Sequence, residues 1–294
     1  MTLRHLQIFL MVCEKGNMTE AANTLFMTQP SVSQAIKELE THYEVRLFNR
    51  AGRKISLTRS GEILRSYAVH ITNSFAELDK KLRSTAQSHA LRIGANVTVG
   101  VTMIQSLICR FKEMFPGIRV EIFVNNSKAI LERIDRDELD LALVEEFAGM
   151  ENYITEPFFN DRSIVVAPIG HPLLEKKEVT AKDLTETELL LRESGSGVRN
   201  LFDAVMFAKG LVVHPIWESY TSDAVIEAVR ANIGVAVLPE RIARPHIRNK
   251  EMSELPIRDL DLSRRLVILR HRSKILSPEG EAFAELVRTS DWDV

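Results

Sequence analysis

The sequence predicts a mixed α/β protein in unequal parts: a small all-α head with a short β wing, one long helix, and a larger C-terminal α/β body in two lobes. Three patterns carry this. Apolar residues recur at helical spacing from Leu3 to Leu39 and lead into a basic, glycine-containing hairpin pattern; a heptad runs from Leu64 to Leu82; beyond Ala90, short apolar runs alternate with helical patterns. At 294 residues the chain can form two or three compact units, each with its own core. Hydrophobic residues at 45% and charged residues at 27% describe packed domains rather than a disordered chain. Cys13 and Cys109 sit far apart in helical patterns, and no Cys/His spacing resembles a metal site, which fits a reducing compartment. The N-terminus lacks a signal-peptide pattern and no apolar run approaches the roughly 18 residues of a membrane span, so the expected location is the cytoplasm.

In the head, Leu3, Leu6, Phe9, Leu10 and Cys13 define a first helix that stops at Lys15 and Gly16, a basic last turn and a C-cap glycine. A second helix is expected with Thr19 as N-cap, running through Ala21, Ala22 and Leu25; a third with Thr28 as N-cap and Pro30 in its first turn. So short a separation marks a helix-turn-helix over about 18–37. On the third helix Val32, Ala35, Ile36 and Leu39 share one side, whereas Pro30, Ser33, Gln34 and Lys37 project from the other. The apolar side packs. The polar side suits a DNA major groove: Gln34 for an adenine edge, Ser33 for base or phosphate, Lys37 for phosphate, although a solvated helix face has the same composition. Next, Leu47–Arg50 and Ile55–Thr58 flank a basic tip, forming a wing whose Arg50, Arg53 and Lys54 are placed to grip backbone or an adjacent minor groove. Charge agrees: residues 1–60 hold eight basic against five acidic side chains, so the net charge of −2 arises from an acidic body.

Residues 1–60 resemble the DNA-binding domain of LysR-type transcriptional regulators. The resemblance rests on Leu3-Arg4-His5-Leu6-Gln7-Ile8-Phe9, Thr19-Glu20-Ala21-Ala22, Thr28-Gln29-Pro30-Ser31-Val32-Ser33 through Ile36 and Leu39-Glu40, Leu47-Phe48-Asn49-Arg50 and Leu57-Thr58-Arg59-Ser60-Gly61. It adds Thr19, Thr28, Gln29 and Ser31 to the DNA-contacting set. Gln34 stands where many members of that family carry Arg, so no known operator transfers.

From Thr58, an N-cap, to about Ser88 the chain has no proline. Leu64, Ala68, Ile71, Phe75, Leu78 and Leu82 recur at steps of four and three, the seam expected of a helix that pairs with a second copy, although an amphipathic helix packed within one chain carries a similar stripe. Residues 61–89 are thus a linker and dimerisation helix, as the resemblance also implies. Residues 90–294 resemble that family's effector domain, itself similar to periplasmic solute-binding proteins: lobe I spans 90–160 and 269–294, lobe II 161–268. Ligands of such sheets sit at the carboxyl ends of strands, where helix N-termini offer backbone N–H groups. Three turns qualify: Asn96-Val97-Thr98, Ser194-Gly195-Ser196-Gly197 beside Arg192, and Thr221-Ser222. The glycines and the positive charge of the second point to a small anionic effector, whereas any one turn taken alone is better read as a helix cap.

The resemblance implies double-stranded DNA, a small-molecule effector and further copies of the chain, as a dimer or tetramer, as partners, with RNA polymerase a further one. It implies activation or repression of transcription and no catalytic residue, metal or cofactor. An enzyme fused to a DNA-binding head is disfavoured, because His171, His214, His246 and His271 are scattered and no Walker or Rossmann glycine pattern occurs. A solute-binding protein with a dimerising head is disfavoured by the basic wing.

Overall fold

The structure, a computed structural model, describes residues 1–51, 54–83, 90–147 and 149–292. Its contacts divide the chain into two compact units. The first holds Met1–Ser88 together with Asp135–Glu138 and Ser273–Ile275; the second holds the remainder.

The first unit is built from α1 (Leu3–Lys15), α2 (Met18–Thr24), α3 (Gln29–Tyr43), the hairpin β1 (Phe48–Ala51) and β2 (Lys54–Leu57), and α4 (Arg59–Arg83). Gly16 ends α1 in the left-handed region at φ 61°, donating its N–H to Val12 O. The cap of α2 differs from expectation. Asn17 rather than Thr19 is its N-cap, the Asn17 Oδ1 accepting from the backbone N–H groups of Thr19 and Glu20 at 2.7 and 3.3 Å. Asparagine one residue ahead of the helix reaches both orphan donors, which leaves Thr19 exposed in the first turn. Phe9, Val12, Val32, Ile36, Leu39 and Leu47 form the core, and Ala68 anchors α4 to it. Along α4, Ile71, Phe75 and Leu78 remain about half exposed. Gly52 and Arg53 lie outside the described residues, as do the side chains of Arg50, Lys54 and Leu82. Buried in this unit, His70 meets the Asp137 carboxylate at 3.2 Å and Lys274 pairs with it at 2.9 Å.

The second unit carries one continuous sheet. Its elements are β3 (Leu91–Ala95), α5 (Val97–Thr102), α6 (Ile104–Met114), β4 (Val120–Val124), α7 (Ser127–Asp135), β5 (Leu141–Glu145), β6 (Tyr153–Ala167), β7 (Leu189–Arg192), α8 (Gly197–Ala208), β8 (Trp217–Ser219), α9 (Ser222–Arg230), β9 (Val235–Pro239), α10 (Glu240–Arg248), β10 (Ser253–Glu254), β11 (Ser263–His271) and α11 (Pro278–Thr289). The order β4-β3-β5-β11-β6-β9-β7-β8 resolves into two lobes. In each, parallel strands (β4, β3, β5; β9, β7, β8) carry helices on both faces. The antiparallel strands β6 and β11 pass from one lobe to the other. Parallel strands wrapped on both sides are buried throughout, as Leu141–Glu145 and Val235–Pro239 are, and read in sequence as unbroken apolar runs. Four pieces answer to no pattern noted in the sequence: the short helix α5, the first ten residues of β6, all of α10 and the two-residue β10. No helix among the described residues is long and apolar enough to cross a membrane.

Candidate nucleic-acid interface and effector cleft

Helix α3 turns Val32, Ala35, Ile36 and Leu39 into the core of the head, so the other side of the same helix must face outward. Thr28 caps it, its hydroxyl accepting from Ser31 N–H at 3.4 Å, and Pro30 sits in the first turn where no N–H is required. Gln29, Pro30, Ser31, Gln34 and Lys37 are exposed and Ser33 is half-buried. Neighbours one turn on orient the two amides: Gln29 Nε2 donates to Ser33 Oγ at 2.8 Å and Gln34 Nε2 to Glu38 Oε1 at 2.9 Å. The Gln34 bond, followed by that of His5, holds the Glu38 carboxyl below the usual range, so Glu38 stays ionised beside Gln34. The Gln34–Glu38 bond uses one of the two Nε2 hydrogens, so Gln34 keeps a second N–H and its carbonyl oxygen for an adenine edge.

In the second unit the carboxyl ends of β3, β4, β5 and β7 converge on a narrow cleft. Its floor, about 10 Å³, lies among Asn96, Thr98, Ser127, Glu145, Arg192, Gly197 and Arg264. Beside it a larger cavity of about 440 Å³, the size of a small metabolite site, is lined by Val97, Val101, Val124 and Ile242 with Asn126, Tyr220, Thr221 and Ser222. The polar groups of the floor bind one another. Asn96 Oδ1 caps α5 at Val99 N–H (2.8 Å) while its Nδ2 donates to Glu145 Oε2 (2.6 Å). Arg264 clamps Asp161 and donates to Thr98 Oγ1 at 2.9 Å. Arg192 is tied to Glu193, to Ser222 Oγ at 3.1 Å and to the carbonyls of Ser219 and Tyr220. Asn126 Nδ2 in lobe I reaches Glu193 Oε1 in lobe II at 2.9 Å. Thr221 caps α9 at Ala224 N–H. Of the three expected turns only the one before α8 has no side-chain cap from its own N-cap residue, Ser196, and Gly195 makes that turn at φ 96°.

A family model described as "Bacterial regulatory helix-turn-helix protein, lysR family" matches residues 3–62, and one described as "LysR substrate binding domain" matches residues 84–292. The chain belongs to the LysR family of transcriptional regulators. It is 31% identical over 265 residues to the HTH-type transcriptional regulator CysL of Bacillus subtilis, covering 89% of this chain and 88% of that one. It is 27% identical over 294 residues to the transcriptional activator CmpR of Synechocystis, covering 99% and 96%. Among solved structures, full-length OxyR of Pseudomonas aeruginosa aligns with TM-score 0.62 at 21% identity, covering 99% of each chain. The regulatory domain of Synechocystis CcmR, in complex with 2-PG, aligns with TM-score 0.63 at 25% identity, covering 68% of this chain and 95% of that one.

In this LysR-family regulator, then, the N-terminal unit carries the DNA-binding helix-turn-helix and the α/β unit is the effector-binding domain. The protein is a transcriptional regulator and not an enzyme. Of the effector residues expected from sequence, Asn96, Val97, Thr98, Arg192, Ser196 and Gly197 line the floor and Thr221 and Ser222 the adjoining cavity. Ser194 and Gly195 line neither, because the turn they form points Ser194 to solvent. Arg192, expected to flank the turn with positive charge, is neutralised by Glu193. Sequence reasoning missed Asn126, Ser127, Glu145 and Arg264. The first three follow apolar strands at their carboxyl ends, the signal that could have found them; Arg264 comes from a crossing strand and had none. A separate, shallower depression of about 1190 Å³ is lined by Arg162, Arg241, Arg244 and Glu240. There the Arg162 hydrogen bonds, outweighing burial and joined by those of Arg244, push the Glu240 carboxyl down to about 2.

Proposed function

We propose that this regulator reads a sequence-specific DNA site through the exposed face of α3, with Gln34 at a base edge and Thr19, Thr28, Gln29, Pro30, Ser31, Ser33 and Lys37 around it. Arg50, Arg53 and Lys54 of the wing hold the phosphate backbone or minor groove. Two copies join along the half-exposed apolar row of α4, as a dimer or as half of a tetramer. The effector is a small anion seated in the cleft between the lobes, and by preferring one arrangement of them it changes the affinity of the paired heads for DNA. The bound complex activates or represses by contact with, or exclusion of, RNA polymerase, in the cytoplasm. That the CcmR regulatory domain is in complex with 2-PG supports an effector held by the α/β domain. The carrying observation is the convergence of three helix N-termini, those of α5, α8 and α9, on one cleft with a metabolite-sized cavity beside it. Thermal melting of the full chain with sulfate, inorganic phosphate and small carboxylates tests this: a concentration-dependent rise is expected with at least one, and no change with any of them contradicts it.

A further inference from the structure

The cleft floor already contains a negative charge. Glu145, at the carboxyl end of β5, is only 6% exposed. Among the described residues the one hydrogen bond its carboxylate receives is that of Asn96, and no Arg, Lys or His pairs with it. The other carboxylates at or beside the floor are each matched by a cation, Glu193 by Arg192 and Asp161 by Arg264. Glu145 reaches instead toward the start of α8. A Cβ built on Gly197 would lie 1.7 Å from Glu145 Oε1, so the carboxylate fills the place where a side chain on the first residue of that helix would be. Only glycine at 197 admits it there. Helix α8 is twelve residues long, Ser196 gives it no side-chain cap, and the Glu145 carboxylate lies against its first residue, where a negative charge is favoured.

A second observation at the same floor points to a ligand. Ser127 Oγ lines it, the residue is 5% exposed, and the hydroxyl has no hydrogen-bond partner among the described residues. A buried hydroxyl left unpaired is costly, and this one, on the first residue of α7, lines the same floor as Glu145. The space among these groups, about 10 Å³, is at most that of one water, so an oxyanion and the Glu145 carboxylate cannot share it. Their like charges would also repel at such a distance.

We propose that Glu145 is a resident anion at the N-terminus of α8, and that an anionic effector binds by displacing it and taking the hydrogen bond of Ser127 Oγ. Glu145 thereby sets which oxyanions, and at what concentration, open the cleft. This rests on the anionic-effector reading. The test is calorimetric titration of the full-length wild type, Glu145→Gln and the double variant Glu145→Gln/Ser127→Ala with sulfate and inorganic phosphate at constant ionic strength. Glutamine keeps an acceptor for Asn96 and so preserves the fold, which circular dichroism checks. The expected result is that Glu145→Gln binds at least one of the two anions about tenfold more tightly than wild type, and that adding Ser127→Ala removes most of the gain. Equal affinity in wild type and Glu145→Gln overturns the displacement while leaving the anion reading in place. Weaker binding by Glu145→Gln overturns it too, making Glu145 a direct contact for a donor on the ligand. Absence of binding in every variant overturns both.

Discussion

The outward face of α3 and the floor of the effector cleft are both polar, yet they are built in opposite ways. On α3 Gln29, Gln34 and Lys37 are exposed and the two glutamines are tied only to a neighbour one turn away, so the free protein presents them ready for a partner. In the cleft, Asn96, Thr98, Arg192, Glu193, Asp161 and Arg264 are buried and bound to one another. A surface meant for a large, highly charged partner can wait in water. A pocket meant for a small molecule holds its polar groups out of water, so Glu193 and Asp161 are each matched by an arginine and Glu145 by the Asn96 amide, and its ligand has to compete with these bonds.

The sharpest way to break this contrast is Asp161→Ala, which strips the carboxylate from the buried Arg264. It is expected to destabilise the α/β unit by about 3–5 kcal/mol, read by denaturant unfolding. Ser33→Ala or Lys37→Ala on α3 should change stability by no more than about 0.5 kcal/mol. A similar loss in both places would erase the distinction. The cysteines sharpen it on a chemical scale. Burial pushes the Cys13 thiol up to about 12, against the lowering by Arg65, so at pH 8 only about one in ten thousand is thiolate. Cys109 is exposed on α6, and iodoacetamide followed by peptide mapping should modify it well before Cys13.

A smaller effect separates lobe II by pH. Because the folded state holds Glu240 at about 2, its ion pairs with Arg162 and Arg244 stabilise fully above the unfolded glutamate value of about 4.3, and that contribution fades as pH falls toward about 2. Melting curves of wild type and Glu240→Gln should differ at pH 6 and converge near pH 2. Smallest of all is the turn between α2 and α3. Phe26 adopts φ 53° there and is 98% exposed, so Phe26→Gly relieves left-handed strain without loss of packing and should stabilise the head by about 0.5 kcal/mol in thermal melts.

Legibility in the sequence follows the same division. Where a local pattern decides the outcome it was legible: Gly16 ends α1, and Thr28 caps α3 with Pro30 in its first turn, as expected. Where two residues compete for one local role, it slipped, as with Asn17 and Thr19 at α2. Helix α10 escaped because Pro245 lies inside it and only Ile242 and Ala243 are buried, too few to show a period. The first part of β6 escaped because Pro157 interrupts it and it is only half-buried. The cleft was half visible. Its helix-starting turns carry local signals, whereas Glu145, Ser127 and Arg264 meet only through the order of the strands, which no local pattern reports.

The most direct test of the central claim, that the exposed side of α3 reads base edges, is to select bound fragments from the source genome and measure the affinity of wild type and Gln34→Ala for every single-base variant of the selected site. The expected outcome is a loss of about 1–3 kcal/mol confined to one base position and its symmetry mate. An equal loss on every variant, or none on any, would contradict it.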